Sequence, residues 1–166
     1  MKIRIFDFDD TLFATRNTVS VTDSKGQKRV LSSHDFALYK IRQGDILDFS
    51  SFEKVVGPKK IKPIFRVFDR IYKRDNDRLI VILTARAATE GIVNLLKGLG
   101  YRNATVVGVA SPDPVAKANY VKNKIEEGYD DIQFFDDSSK NIEAINRLRR
   151  DYPSVKIKAN FVRKYD

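Results

Sequence analysis

The 166-residue chain has no cysteine and no tryptophan, one methionine and one histidine. Without cysteine it can build neither a disulfide scaffold nor a thiolate metal site, and it has no cysteine nucleophile. That absence fits a reducing compartment and lends no support to secretion, so a cytoplasmic location is expected. Long apolar runs are also missing. The longest, Leu79–Leu83, falls far short of the ~20 residues a membrane-crossing helix needs. The opening MKIRIF meets acids at Asp7, Asp9 and Asp10 before the apolar stretch of a signal sequence can develop, and reads as mature structure. A soluble protein without membrane attachment is expected. Acids are in deficit, with 22 Asp and Glu against 31 Lys and Arg and a formal net charge of +9. Such an excess favours anionic partners: nucleic acid, phosphorylated metabolites or acidic surfaces.

Hydrophobic residues make up 42% of the chain, enough at this length for one sizeable core, so a single domain over 1–166 is expected. Short runs rich in Ile, Val and Phe predict strands at Lys2–Phe6, Leu79–Leu83, Ala104–Gly108, Ile132–Phe135 and Val155–Phe161. Between them, apolar residues at three- and four-residue spacing predict helices around Ile64–Ile71, Ile92–Leu96, Tyr120–Ile125 and Ile142–Leu148. The alternation predicts an α/β fold, a three-layer α/β sandwich with a Rossmann-like parallel sheet. The segment Phe13–Pro63 breaks the rhythm and reads as an insertion of about 14–62. Within it Thr18–Thr22 and Lys28–Leu31 flank a turn and can pair as a hairpin, and Ser32 with Asp35 resembles a helix-capping box. His34 is assigned to that helix start, and Phe49 and Phe52 to packing of the insertion.

The chemistry begins where the first strand ends. Asp7-Phe8-Asp9-Asp10-Thr11 places three carboxylates at the carboxyl edge of a parallel sheet, where open α/β folds put their ligands. A second apolar strand, Ile132–Phe135, delivers Asp136 and Asp137 to the same edge. Two such clusters on neighbouring strands repel unless a cation lies between them, and a hard divalent ion with oxygen ligands, most simply Mg²⁺, answers that need. Leu79–Leu83 ends in Thr84-Ala85, whose hydroxyl and backbone N–H can bind a phosphate oxygen. Lys117, on the helix before the second acidic strand, can reach the same place, with Lys122 and Lys124 as alternatives nearby.

In order and context these elements resemble the haloacid dehalogenase-like superfamily of aspartate-nucleophile phosphohydrolases. Its signatures are DxDx[TV] after the first strand, Thr or Ser after the second, Lys before the fourth and paired acids after the fourth. Asp7–Thr11, Thr84, Lys117 and Asp136-Asp137 match them over nearly the whole chain. Asp10 stands where many members have Gly, although other phosphatases of the superfamily carry an acid there.

The resemblance implies an Mg²⁺-dependent phosphomonoesterase with an aspartyl-phosphate intermediate. Asp7 would be the nucleophile and Asp9 the general acid and base. Thr84, Ala85 and Lys117 would hold the phosphoryl oxygens. Asp7, the Asp9 carbonyl and Asp137 would ligate the metal, with Asp136 a ligand or a partner behind the ligands. The insertion would be a small cap that governs substrate choice. The expected substrate is a phosphorylated small molecule or nucleotide. A polynucleotide end-processing phosphatase is the alternative, with Lys25, Lys28, Arg29, Lys59, Lys60 and Lys62 available to contact further phosphates. A third reading, a silent basic domain that binds nucleic acid by charge, leaves Asp7, Asp9, Thr84, Lys117 and both later acids without purpose. A phosphoacceptor receiver domain would need an acid after the third strand, where Val109 and Ala110 stand. No obligate protein partner is evident.

Overall fold

The structure, a computed structural model, describes residues 1–74 and 77–163. Its centre is β1 (Lys2–Phe6), all but the first residue of which are buried. β1 pairs in parallel with β7 (Arg78–Thr84) on one side and β9 (Asp131–Asp136) on the other. β8 (Thr105–Gly108) and β10 (Lys156–Phe161) complete a five-stranded parallel sheet in the order β10-β9-β1-β7-β8. The expected strands are all present, each shifted by no more than about a residue at its ends.

Period-two side-chain alternation divides the sheet's two faces between two cores. Phe6, Ile80, Ile82 and Phe135 point to one face, where α2 (Lys62–Lys73) supplies Ile64, Phe65, Phe68 and Ile71, and α3 (Glu90–Gly98) supplies Ile92 and Leu96. Ile3, Ile5, Val81, Leu83, Ile132 and Phe134 point to the other. There α4 (Pro114–Glu126) packs Val121 and Ile125, and α5 (Ser139–Asp151) packs Ile145 and Leu148. The sheet is therefore covered by helices on both faces, as the alternating pattern predicts.

The segment between β1 and α2 forms small elements of its own. β2 (Phe13–Ala14) pairs antiparallel with β6 (Lys59–Lys60). The expected hairpin is β3 (Thr18–Thr22) and β4 (Lys28–Ser32), with Thr18 opposite Ser32. β5 (Ile46–Asp48) adds a third strand on the far side of β3. Ser32 caps the short α1 (Ser33–Leu38), its hydroxyl accepting the Asp35 N–H at 3.0 Å. A single 3₁₀ turn, Ser50–Glu53, follows β5. Among the described residues no helix is long and apolar enough to cross a membrane.

Candidate active site

The carboxyl ends of β1, β7 and β9 are adjacent, so the register of the sheet decides what meets there. Phe6 pairs with Ile82 on β7 and Phe135 on β9, which sets Asp7 level with Asp136 and one residue short of Thr84 at the same edge. The Asp7 N–H continues the ladder to the Phe135 carbonyl at 2.9 Å. The next residues turn tightly: the Thr11, Leu12 and Phe13 amides all donate to the Phe8 carbonyl. Within that turn Asp10 takes a φ of 60°, a left-handed conformation that Asp tolerates better than most residues.

Asp7, Asp136 and Asp137 each place a carboxylate oxygen within 4.8 Å of the others. Lys117 joins them. It lies one turn before Val121 and two before Ile125, so the buried stripe of α4 carries its side chain inward rather than to solvent. Its Nζ donates to Asp7 Oδ1 at 2.9 Å and to Asp136 Oδ2 at 2.8 Å. Lys122 is exposed and Lys124 pairs with Glu127, so neither alternative reaches the site. Asp136 is engaged at both oxygens: Oδ1 accepts the Ser138 N–H, and Oδ2 accepts from Lys117 and the Asn141 amide. The Thr11 hydroxyl lies 2.9 Å from Asp7 Oδ2 and 3.4 Å from Asp137 Oδ1.

These contacts leave a surplus of negative charge. Burial, then the charge of Asp136, push the Asp7 carboxyl well above its ordinary range, against the opposing pull of Lys117. Burial lifts Asp137 to about 6; a hydrogen bond with Asp7 works against that rise, and Asp136 and Asp10 add to it. Burial also disfavours the charge on Lys117, but Asp136 and Asp7 outweigh it and hold the ammonium above its usual value. One buried ammonium thus faces several acids. The donor set is all oxygen and carries excess negative charge, which suits a hard divalent cation.

Asp9 stands apart from the cluster. Its carboxylate is held by Arg86, which follows Thr84-Ala85 at the end of β7: Nε donates to Oδ2 at 2.8 Å and Nη2 to Oδ1 at 2.7 Å. The guanidinium also donates to the carbonyls of Phe52 and Lys54 and to Asn17 Oδ1. It lies 4.7 Å over the Phe52 ring and 5.4 Å over Phe8. Asn17, fully buried, bonds in turn to Ser51, Lys54 and Val56. Gly108 makes room for this loop, since a Cβ there would collide with the Arg86 carbonyl oxygen and come within 2.8 Å of Thr89.

Thr84 is buried, and its hydroxyl accepts the Arg86 N–H at 3.1 Å. Ala85, exposed, lines a cavity of about 670 Å³ that opens over Asp7. Asp7, Asp9, Asp10, Lys117, Asp136 and Asp137 line it, together with residues of α1 and the 3₁₀ turn. Ser33 at the start of α1 reaches across to donate to Asp10 Oδ2 at 2.5 Å. Of the six basic residues considered for further phosphates, Lys25, Lys28, Arg29, Lys59, Lys60 and Lys62, all are exposed and none lines the cavity.

The site also engages Arg86, Asn17, Ser33 and Asn141, to which the sequence assigns no role, and Thr11, expected only as the last position of the Asp7–Thr11 motif. Thr11 closes the Asp7–Thr11 motif and Arg86 directly follows Thr84-Ala85, so an arginine at the carboxyl edge of that strand is the available signal. Asn17 and Ser33 carried none, because their partners are distant in sequence. Comparison with models of protein families, with curated proteins and with solved structures finds no match to this chain.

Proposed function

We propose that the protein is an Mg²⁺-dependent phosphomonoesterase of the haloacid dehalogenase-like kind, acting through an aspartyl-phosphate. The observation that carries this reading is the meeting of Asp7, Lys117, Asp136 and Asp137 at adjacent strand ends, with one cation among three acids. Asp7, Asp137 and the Asp9 carbonyl would hold Mg²⁺, with Asp136 behind them fixing Lys117. Bound there, the ion would offset the charge of the acids and of the incoming phosphate and act as a Lewis acid on its oxygens.

A carboxylate oxygen of Asp7 attacks phosphorus, forming the acyl-phosphate bond as the ester P–O bond breaks. Lys117 and the Ala85 N–H stabilise the transferring oxygens as fixed donors, and the Thr84 hydroxyl, buried and outside the cavity lining, joins them if the strand end opens on binding. Asp9 gives its proton to the leaving alcohol oxygen and afterwards takes one from the water that hydrolyses the intermediate, releasing inorganic phosphate and regenerating Asp7. Both Asp9 oxygens accept from Arg86, so the guanidinium must yield one of its two contacts while the acid carries its proton. The segment 14–62 serves as the cap, since residues of α1 and the 3₁₀ turn line the cavity together with the acids.

The test is hydrolysis of a generic aryl phosphate by purified protein with Mg²⁺, and its loss in Asp7→Asn. Undiminished turnover in that variant would end the mechanism.

A further inference from the structure

Three of the cavity's linings bear on what the phosphate is attached to. Phe36 and Phe49 meet edge to face at 5.4 Å between ring centres, and Tyr39 lies 6.5 Å from Phe36. The Tyr39 hydroxyl is anchored to Asp45 at 2.8 Å, which fixes that end of the wall. Phe49 remains 38% exposed, a large ring open rather than packed away. The lining also includes Ala85, Ala87, Ala88, Ala110, Pro112 and Pro114, which are small or flat, with Ser111 and Asp113 among them. Aromatic rings in a cavity that small apolar groups also line accept a planar ring at little steric cost, and stacking rewards a flat base where a sugar alone offers no such face.

Charge narrows the choice further. Three basic side chains line the cavity: Arg86 is spent on Asp9, and Lys117 on Asp7 and Asp136, which leaves Lys140. Glu53 and Asp113 add negative charge to the lining. A second phosphate, or the backbone of a polynucleotide, would therefore find only Lys140 to neutralise it inside, because the exposed basic residues of the insertion lie elsewhere. The volume, about 670 Å³, is that of a small-ligand site.

We infer, resting on the phosphomonoesterase reading above, that the aromatic wall of Phe36, Tyr39 and Phe49 makes the cavity a base-binding subsite and its substrate a free nucleoside monophosphate. The ring lies against the wall while the single phosphate reaches Asp7.

The experiment compares kcat/KM, with Mg²⁺ present, for nucleoside 5′- and 3′-monophosphates, ribose 5-phosphate, a nucleoside diphosphate and a 3′-phosphorylated oligonucleotide. A mononucleotide is expected to exceed ribose 5-phosphate by about tenfold or more, the scale of one base–aromatic stack. Phe49→Ala, and Phe49→Leu, which keeps apolar bulk, are expected to shrink that ratio several-fold. Equal use of ribose 5-phosphate overturns the inference and leaves the phosphatase reading standing. Preference for the oligonucleotide or the diphosphate overturns it as well. Calorimetry on Asp7→Asn supplies a readout without turnover. Mononucleotide is expected to bind about tenfold more tightly than ribose 5-phosphate, and equal affinities overturn the inference even where no hydrolysis of any phosphate, aryl phosphate included, has refuted the parent reading.

Discussion

Arg86 grips Asp9 with two parallel hydrogen bonds of 2.8 and 2.7 Å, and both side chains are largely shielded, at 3% and 16% exposure. A planar fork against a carboxylate fixes the acid's direction as well as its place. The same guanidinium is bound to Asn17 and to the Phe52 and Lys54 carbonyls, so the residue proposed as acid and base is tied through one side chain to the segment that walls the cavity.

Arg86→Ala is expected to destabilise the protein by about 3–5 kcal/mol, because it leaves a shielded carboxylate and several polar partners unpaired. Arg86→Lys retains the charge but cannot form the fork, and is expected to keep the fold while lowering kcat with little change in KM. Thermal unfolding and steady-state kinetics check both. A lysine variant with wild-type kcat would show that the fork does not position Asp9.

Asp7→Asn should reduce aryl phosphate hydrolysis by more than about 10³-fold, the order lost with a covalent nucleophile. Without metal the variant should be at least as stable as the parent, since it removes one of the mutually repelling buried acids. Loss of activity with a large fall in melting temperature would point instead to misfolding.

The raised carboxyls make a signed prediction about pH. A group that binds its proton more tightly when folded adds stability at low pH and surrenders it as pH rises through its folded value. For Asp137 the window runs from the ordinary 3.8 to about 6. The lowered acids Asp45, Asp48, Asp69, Asp77 and Asp130 act oppositely, but below 3.8. Metal-free protein should therefore lose melting temperature as pH climbs from about 4 to 6, and Asp137→Asn should flatten the trend. Mg²⁺ affinity, read by calorimetry, should rise over the same span, because its ligands must shed protons. Asp10→Asn, which removes a neighbouring charge, should move that rise to lower pH.

Gly108→Ala should cost about 1–3 kcal/mol and lower activity, since the added methyl group meets the backbone carbonyl of Arg86 rather than a side chain that can turn away. Gly98→Ala in α3 is the control: open space surrounds it, and it should stabilise the protein by about 0.5–1 kcal/mol. Equal melting temperatures for the two variants would remove Gly108 from the account.

Much of this molecule was readable from residue order. The five sheet strands follow from apolar runs, and Lys117 from its place on the buried stripe with Val121 and Ile125. What escaped was whatever depends on contact between distant segments. Arg86 was one basic residue among 31 until folding brought it to Asp9, 77 positions away. β5 escaped because three residues with exposed ends carry too little alternation to register. The basic residues of the insertion were counted correctly but not aimed: charge composition gives no direction, and theirs is outward.

β1 has a neighbour on each side and no free edge. Its amides are among those expected to exchange with solvent last, through opening of the whole sheet rather than local fraying. Asp7, the proposed nucleophile, follows directly on that strand, whereas the aromatic wall rides on the six-residue α1 and the single 3₁₀ turn and the residues that flank them. The proposed chemistry and the proposed choice of substrate thus rest on parts of unequal rigidity. Under the proposed function, substitutions across 18–60 would retune what is accepted while the Asp7 carboxylate stays on the frame of β1.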